Sequence, residues 1–266
     1  MSASSGSRQE AREQARAERK RREDEAALRE RRKRRLIYVG GLLGLIVIVA
    51  VVVAVASGGG SGSSSGTTSS GGAVKNAAAV RSEFAGIPQK GNVLGSANAK
   101  ATMMVFADVQ CPFCRDFDTR ALPSLVSRYV KTGELKVVFQ PISIIGADSV
   151  AGARAVAAAA QQNKLFQYSS LFYWNQGEEN TGYVTDAFLT KLAHAVPGLN
   201  VSKWKADLNT ANSSALLSRA QAAAQTAGVN STPTFMVAKT GQTLRPFQPS
   251  SLTANAFYGE LSSLTK

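Results

Sequence analysis

Cys111 and Cys114 are the only cysteines among 266 residues, and two residues separate them in Cys111-Pro112-Phe113-Cys114. Thiols at this spacing can close a disulfide without moving the backbone, so the pair suits reversible two-electron chemistry. With no third or fourth cysteine, a larger disulfide framework is excluded. A structural zinc ion wants four sulfur or nitrogen ligands, and beyond these sulfurs the chain offers only His194. A metal site is therefore disfavoured, and no cofactor is expected beyond the Cys111–Cys114 disulfide itself. What remains is thiol–disulfide exchange, in which a thiolate attacks a disulfide sulfur through a mixed-disulfide intermediate.

Such a thiolate must be positioned. The apolar run Ala101–Ala107 (Ala-Thr-Met-Met-Val-Phe-Ala) suits a buried strand. Asp108-Val109-Gln110 breaks it, and the cysteines follow at once. After them, Phe117, Leu122, Leu125, Val126 and Tyr129 fall at helical spacing. Cys111 is thus expected at a helix N-terminus as the exposed nucleophile, with Pro112 in the first turn and Cys114 one turn further in. Unpaired N–H groups and the positive end of the helix dipole favour a thiolate there. Arg115 adds positive charge, Phe113 adds apolar surface for a peptide, and Pro123 should kink or interrupt the helix.

Residues 135–140 read as the next strand, closed by Pro141. A long helical stretch follows: 148–162 is alanine-rich, and Leu165, Tyr168, Leu171 and Phe172 continue the pattern. Residues 178–182 form a turn, Thr185 caps a helix over 186–195, and Ser202 caps another running towards Ala227. Residues 234–237 and 243–245 read as a hairpin, followed by a helix over 251–264. The pattern is β-α-β, a helical insert, then β-β-α.

The N-terminal part is different in kind. Residues 1–35 carry 13 Lys or Arg and 7 Asp or Glu, and have almost nothing to bury. The basic cluster 31–35 abuts an apolar run at 36–56 that holds no charge. At ~1.5 Å per residue this run makes a helix about as long as the ~30 Å bilayer core. It is expected to span a membrane once, with the basic tail cytoplasmic and everything after Ala56 translocated. A signal peptide cleaved at Ala54-Val55-Ala56 competes, but the apolar run and its polar leader are too long for one. The arginines are read as a positive-inside signal with attraction to anionic membrane lipid, so no nucleic acid is expected. Gly40 and Gly44 have the spacing of a helix-pairing face. Residues 57–72 contain only Ser, Gly and Thr, a flexible tether. With a short helix within 74–85, the linker region runs over 57–90, and a globular domain over 91–266.

The strand, the C-P-x-C at a helix start, the helical insert and Ser231-Thr232-Pro233-Thr234 opening a hairpin together resemble the DsbA-like branch of the thioredoxin fold. Residues 106–114 and Gly86-Ile87-Pro88-Gln89 are also similar to membrane-anchored or secreted members from Gram-positive bacteria. The resemblance covers residues 86–266. It implies an α/β thioredoxin-like fold with a helical insertion at about 147–227, here preceded by a single transmembrane helix. It also implies that Thr232-Pro233 is a cis-proline dipeptide beside the sulfurs, free to bind substrate peptide by strand addition. Without the cysteines the same residues read as an ordinary proline opening a strand.

The strongest oxidants of the family carry a histidine between the cysteines, and Pro112-Phe113 lacks it. The Cys111 pKa is therefore expected below the ~8.5 of a free thiol but above the ~3.5 of the most oxidising case. Thioredoxin-like proteins often have a buried acid six residues before the first cysteine; here that residue is Val105. Asp108 either relays a proton through water or holds the loop and caps the helix. His194 is read as structural or exposed, and Tyr168, Phe172, Tyr173 and Trp174 as core or as the lining of a peptide groove.

The resemblance implies a membrane-tethered extracytoplasmic thiol–disulfide oxidoreductase that introduces disulfides into thiol-containing secreted polypeptides. A quinone-linked membrane protein would reoxidise it. A reductase or isomerase of the same fold competes, as does a tethered binding domain with a structural disulfide.

Overall fold

The computed structural model describes residues 73–266. The basic tail, the apolar run 36–56 and the tether 57–72 lie outside the described residues. Among the described residues, no helix is long and apolar enough to cross a membrane.

One six-stranded sheet organises the chain. In sequence order, β1 is Gln89–Lys90, β2 Val93–Leu94, β3 Ala101–Ala107, β4 Leu135–Pro141, β5 Thr234–Lys239 and β6 Arg245–Phe247. Their spatial order is β1-β2-β4-β3-β5-β6. Only β3 and β4 pair in parallel, from Ala101 against Leu135 to Ala107 against Pro141. The crossover between them is the helix that begins at Pro112, the helical connection a parallel pair requires.

The central strands alternate between two apolar faces, as a period of two demands. Met103 and Val105 of β3, with Phe235 and Val237 of β5, enter the main core. Met104, Phe106 and Met236 point the other way, towards Ala220 and Ala224. That second face is covered by the helix Ala211–Thr226, so the run read as a buried strand is covered on both sides.

Helix α1 is Ala77–Glu83, and α2 starts as Pro112–Asp116. From there α2 continues through wider turns at Phe117–Ala121 and Val126–Val130, with regular α-helix at Leu122–Leu125 between them. Pro123 sits in the first turn after the first wide segment. Its missing N–H and ring thus fall where the ladder has already shifted, and the helix is interrupted rather than ended. The insert holds α3 Ala147–Ala160, α4 Leu165–Trp174, α5 Asp186–Ala195, α6 Val201–Asp207 and α7 Ala211–Thr226; α8 Asn255–Thr265 closes the chain.

Thr185 caps α5 as expected, its hydroxyl accepting from the Phe188 N–H. Thr185→Ala should therefore cost about 1 kcal/mol, seen as a lower urea midpoint with unchanged slope. The single helix expected from Ser202 is in fact two. Asn200 caps α6 and Thr210 caps α7, each side-chain oxygen accepting an N–H three residues on. The folded unit also reaches further towards the N-terminus than residue 91, because Val80 and Phe84 are 1% and 3% exposed and belong to the main core.

Candidate active site

Cys111 lies just past the C-terminal end of β3. Its backbone is extended, at φ −67° and ψ 120°, and it caps α2, with Pro112 as the first helical residue. The Arg115 N–H donates to the Cys111 carbonyl at 3.1 Å, which starts the helix. The second half of the site comes from far along the sequence. Antiparallel pairing sets Thr234 of β5 opposite Phe106 of β3, so Thr232-Pro233, just before β5, falls at the edge where β3 ends. The Thr232–Pro233 bond is cis, and the Cys111 thiol donates to the Thr232 carbonyl oxygen at 3.3 Å.

Both thiols are unbridged, and they are not equivalent. Cys114 is 1% exposed and faces the core; Cys111 is 4% exposed. The expectation of an open nucleophile is thus corrected for the dithiol form, because Thr232 lies against the Cys111 sulfur. Phe113, by contrast, is 62% exposed and presents its ring to solvent beside the sulfurs.

The Cys111 pKa is lowered from the ordinary 9.0 to about 6. The Cys114 thiol hydrogen bond contributes most, burial opposes it, and Thr232 and the N–H groups of Cys114 and Phe113 add to the lowering. Burial pushes the Cys114 thiol well up, and the neighbouring Cys111 reinforces this. Arg115 instead pairs with Asp116 at 3.8 Å. One thiolate and one thiol at neutral pH form an attacking group and a proton-bearing partner. Alkylation of Cys111 by iodoacetamide should accordingly rise with pH through a midpoint near 6; a midpoint near that of a free thiol would contradict this geometry. Because the folded pKa is depressed, the thiolate stabilises the folded dithiol form above the unfolded pKa. That contribution is lost as pH falls from 9 through 6.

Asp108 is fully buried. One carboxylate oxygen accepts from the Gln110 N–H at 2.9 Å, and the other from the Ile144 and Ile145 N–H groups at 2.8 and 3.2 Å. It makes no cap bond to α2; it ties the active-site loop to the loop after β4, bringing the half-exposed Ile144 beside that loop. Sequence reasoning missed the rest of this bracing. Gln176 donates to the carbonyls of Val109 and Cys111 at 2.8 and 3.2 Å, and the Gln110 side chain bridges Ser149 and Asn180. The Tyr173 hydroxyl donates to the Asp108 carbonyl. Close approach of α3 depends on Gly152, where an added Cβ would meet Val109 Cγ2 at 2.5 Å. A C-x-x-C motif carries no signal for these partners, which the fold alone brings together.

Tyr168, Phe172 and Tyr173 are core residues, each 1% exposed or less. Trp174 packs at the edge of the same core, and His194 is exposed on α5, remote in sequence from the sulfurs. Among the described residues, no group of three or more His, Cys, Asp or Glu side chains could hold a metal ion.

The family model described as Thioredoxin matches residues 88–245. The chain is 29% identical over 147 residues to a probable disulfide bond formation protein D of Bacillus cereus, covering 54% of this chain and 68% of that one. In fold it is similar to oxidised BdbD from Bacillus subtilis, with a TM-score of 0.57 and 18% identity over 67% of this chain and 97% of that one. It is likewise similar to DsbA of Chlamydia trachomatis, with a TM-score of 0.54 and 20% identity over 65% and 90% of the two chains. With the family matched across more than half of its length and a reactive dithiol set at the end of the central strand, the chain belongs to the thioredoxin family as a DsbA-like thiol–disulfide oxidoreductase.

Proposed function

We propose that the protein is an oxidase of secreted polypeptide thiols, held at the outer face of the cell membrane by residues 36–56. The Cys111–Cys114 disulfide accepts a substrate thiolate at Cys111, the substrate's second thiol resolves the mixed disulfide, and the dithiol is left behind. The observation that carries this reading is the unequal pair. A Cys111 thiolate with a pKa of about 6 stabilises the dithiol form, so the disulfide is the more readily reduced partner. An inert structural disulfide gains nothing from such a thiolate. Phe113, exposed between the two cysteines in sequence, and Ile144, exposed in the loop that Asp108 ties to the active-site loop, offer apolar surface for an unfolded chain, and Thr232 offers backbone for strand addition.

The basic cluster 31–35, the uncharged run 36–56 and the Ser/Gly/Thr tether support placement of the catalytic domain outside the cytoplasm. Catalysis then needs an acceptor for the electrons, for which a quinone-linked membrane protein is the reading adopted. The test is oxidative folding of a reduced, unfolded disulfide protein with glutathione disulfide as terminal oxidant. The protein should accelerate disulfide formation in proportion to its concentration. Catalysis only of disulfide reduction would establish the opposite flow.

The pair should also be tunable. Phe113→His would place a donor where the side chain now faces solvent, lowering the Cys111 pKa further. Stabilising the thiolate stabilises the dithiol, so the disulfide should become more oxidising, by about 30 mV for each ~1.4 kcal/mol gained. Thiolate absorbance and equilibration with glutathione measure both quantities. If neither moves, the Cys114 thiol, Thr232 and the α2 N–H groups set the potential without help from the intervening dipeptide.

A further inference from the structure

We propose that Gln176 is a positioning residue that sets how reactive Cys111 is, and that a clamp between Asn175 and Lys75 makes the N-terminal segment part of the same device. The proposal rests on the thiol–disulfide chemistry of the Cys111–Cys114 pair and holds for either direction of electron flow.

Cys111 is placed by its main chain. It precedes the regular turns of α2 with an extended backbone. Its N–H donates to the Asp108 carbonyl at 3.0 Å, and its carbonyl accepts from the Arg115 N–H at 3.1 Å. Gln176 adds a third hold from a different element, 65 residues away. Its amide nitrogen donates to the Val109 carbonyl at 2.8 Å and to the Cys111 carbonyl at 3.2 Å. A side-chain amide has two N–H donors, and here the two acceptors flank Gln110 on either side. Gln110 is itself fixed by Ser149 and Asn180.

Two effects on the sulfur follow. Cys111 Sγ meets the Cys114 thiol, Thr232 and the N–H groups of Cys114 and Phe113 together only in one position, and hydrogen bonds weaken steeply with misalignment. A site keeps such a position only when the groups supporting it are themselves locked. The second effect is electrostatic. The Cys111 carbonyl oxygen carries partial negative charge in the same residue as the thiolate, and the Gln176 N–H dipole offsets it. The ionisable neighbours of Cys111 are Cys114 and Arg115 on α2, Asp108 in the preceding loop and Tyr173 on α4, with Asp118 of α2 acting on the same Tyr173 ring. Arg115 is paired with Asp116. Gln176 donates to the backbone carbonyls and to none of these side chains, so its removal reads out position and dipole rather than the loss of a charge.

Gln176 follows α4 directly, and Asn175 closes that helix. The Asn175 amide nitrogen donates to the Leu171 carbonyl at 2.7 Å and to the Lys75 carbonyl at 3.3 Å, and its oxygen accepts the Lys75 N–H at 2.9 Å. The backbone of Lys75 thus gives both its polar groups to one side chain, 100 residues away. Val74 packs half-buried against the main core, Val80 and Phe84 are buried in it, and the Phe84 ring lies 6.2 Å from Phe166 of α4. So the chain enters the fold beside the residue that holds Cys111. Residues 74–84 precede the part that matches the family model and come just after the Ser/Gly/Thr run 57–72.

The experiment uses the full-length protein and measures the pH dependence of Cys111 alkylation by iodoacetamide, the equilibrium with glutathione, and urea unfolding. The wild-type alkylation midpoint should lie near 6. Gln176→Ala should raise it by about one pH unit. Its disulfide should then be about tenfold harder to reduce with glutathione, or about 30 mV less oxidising. Gln176→Glu keeps the shape but turns an acceptor towards both carbonyls and adds a negative charge, so it should raise the midpoint at least as far. Asn175→Ala should shift it in the same direction by less, because Gln176 remains. A purely structural role would lower the urea midpoint and leave the alkylation midpoint and the potential where they are. That result in both folded Gln176 variants overturns the proposal, and an unshifted Asn175→Ala overturns the clamp. Alkylation reads Cys111 without turnover. Failure of the wild type to exchange with glutathione would therefore sink the oxidoreductase reading, while the midpoints still decide the role of Gln176.

Discussion

Cys111→Ser should abolish exchange, whereas Cys114→Ser should accumulate covalent complexes with substrate on Cys111. The difference follows from the site's asymmetry. Cys111 caps α2 against Thr232 and has its pKa lowered to about 6, so it is the sulfur expected to attack. A serine hydroxyl cannot form the mixed disulfide at all. Cys114 is almost wholly buried with its pKa raised, so it cannot compete for an incoming disulfide. Its absence removes the protein's own thiol for releasing Cys111, so complexes persist wherever the substrate's second thiol is not placed to resolve them. Non-reducing gels of each variant with reduced unfolded substrate and glutathione disulfide distinguish the two. Trapping on Cys114 in the Cys111→Ser protein would reverse the assignment.

The second large effect is on stability. Asp108→Ala removes a buried carboxylate that accepts three backbone N–H groups and leaves those donors without a partner. At about 1–3 kcal/mol for each orphaned group, partly relieved by relaxation, the loss should be about 3–4 kcal/mol. For a domain of this size the melting temperature should fall by on the order of 10 °C. Asp108→Asn keeps one acceptor oxygen and should lose less. A fully stable Asp108→Asn protein with an altered pH profile would instead favour proton relay over loop bracing.

The elements that hold these residues were legible in the sequence to different degrees. β3, the start of α2 and the Thr185 cap were readable because each rests on local signals: an apolar run, a proline in the first turn, a hydroxyl before a periodic segment. Thr232-Pro233 could be tied to the sulfurs only through family resemblance, since the contact spans 121 residues. The two-residue strands β1 and β2 are too short for any periodicity. Ser202 was the wrong cap because Asn200 and Thr210 carry the same local signal, and only tertiary packing chooses among them.

The reduction potential of the Cys111–Cys114 pair, obtained by equilibrating the protein with glutathione buffers and quantifying dithiol and disulfide, decides whether this fold works as an oxidase. A thiolate held by the Cys114 thiol, Thr232 and the α2 N–H groups should place it at about −180 mV or above, in the range of protein disulfide isomerase and stronger oxidants. A value near about −270 mV would assign the protein to disulfide reduction, and one below about −300 mV would make the pair a structural disulfide and contradict the account.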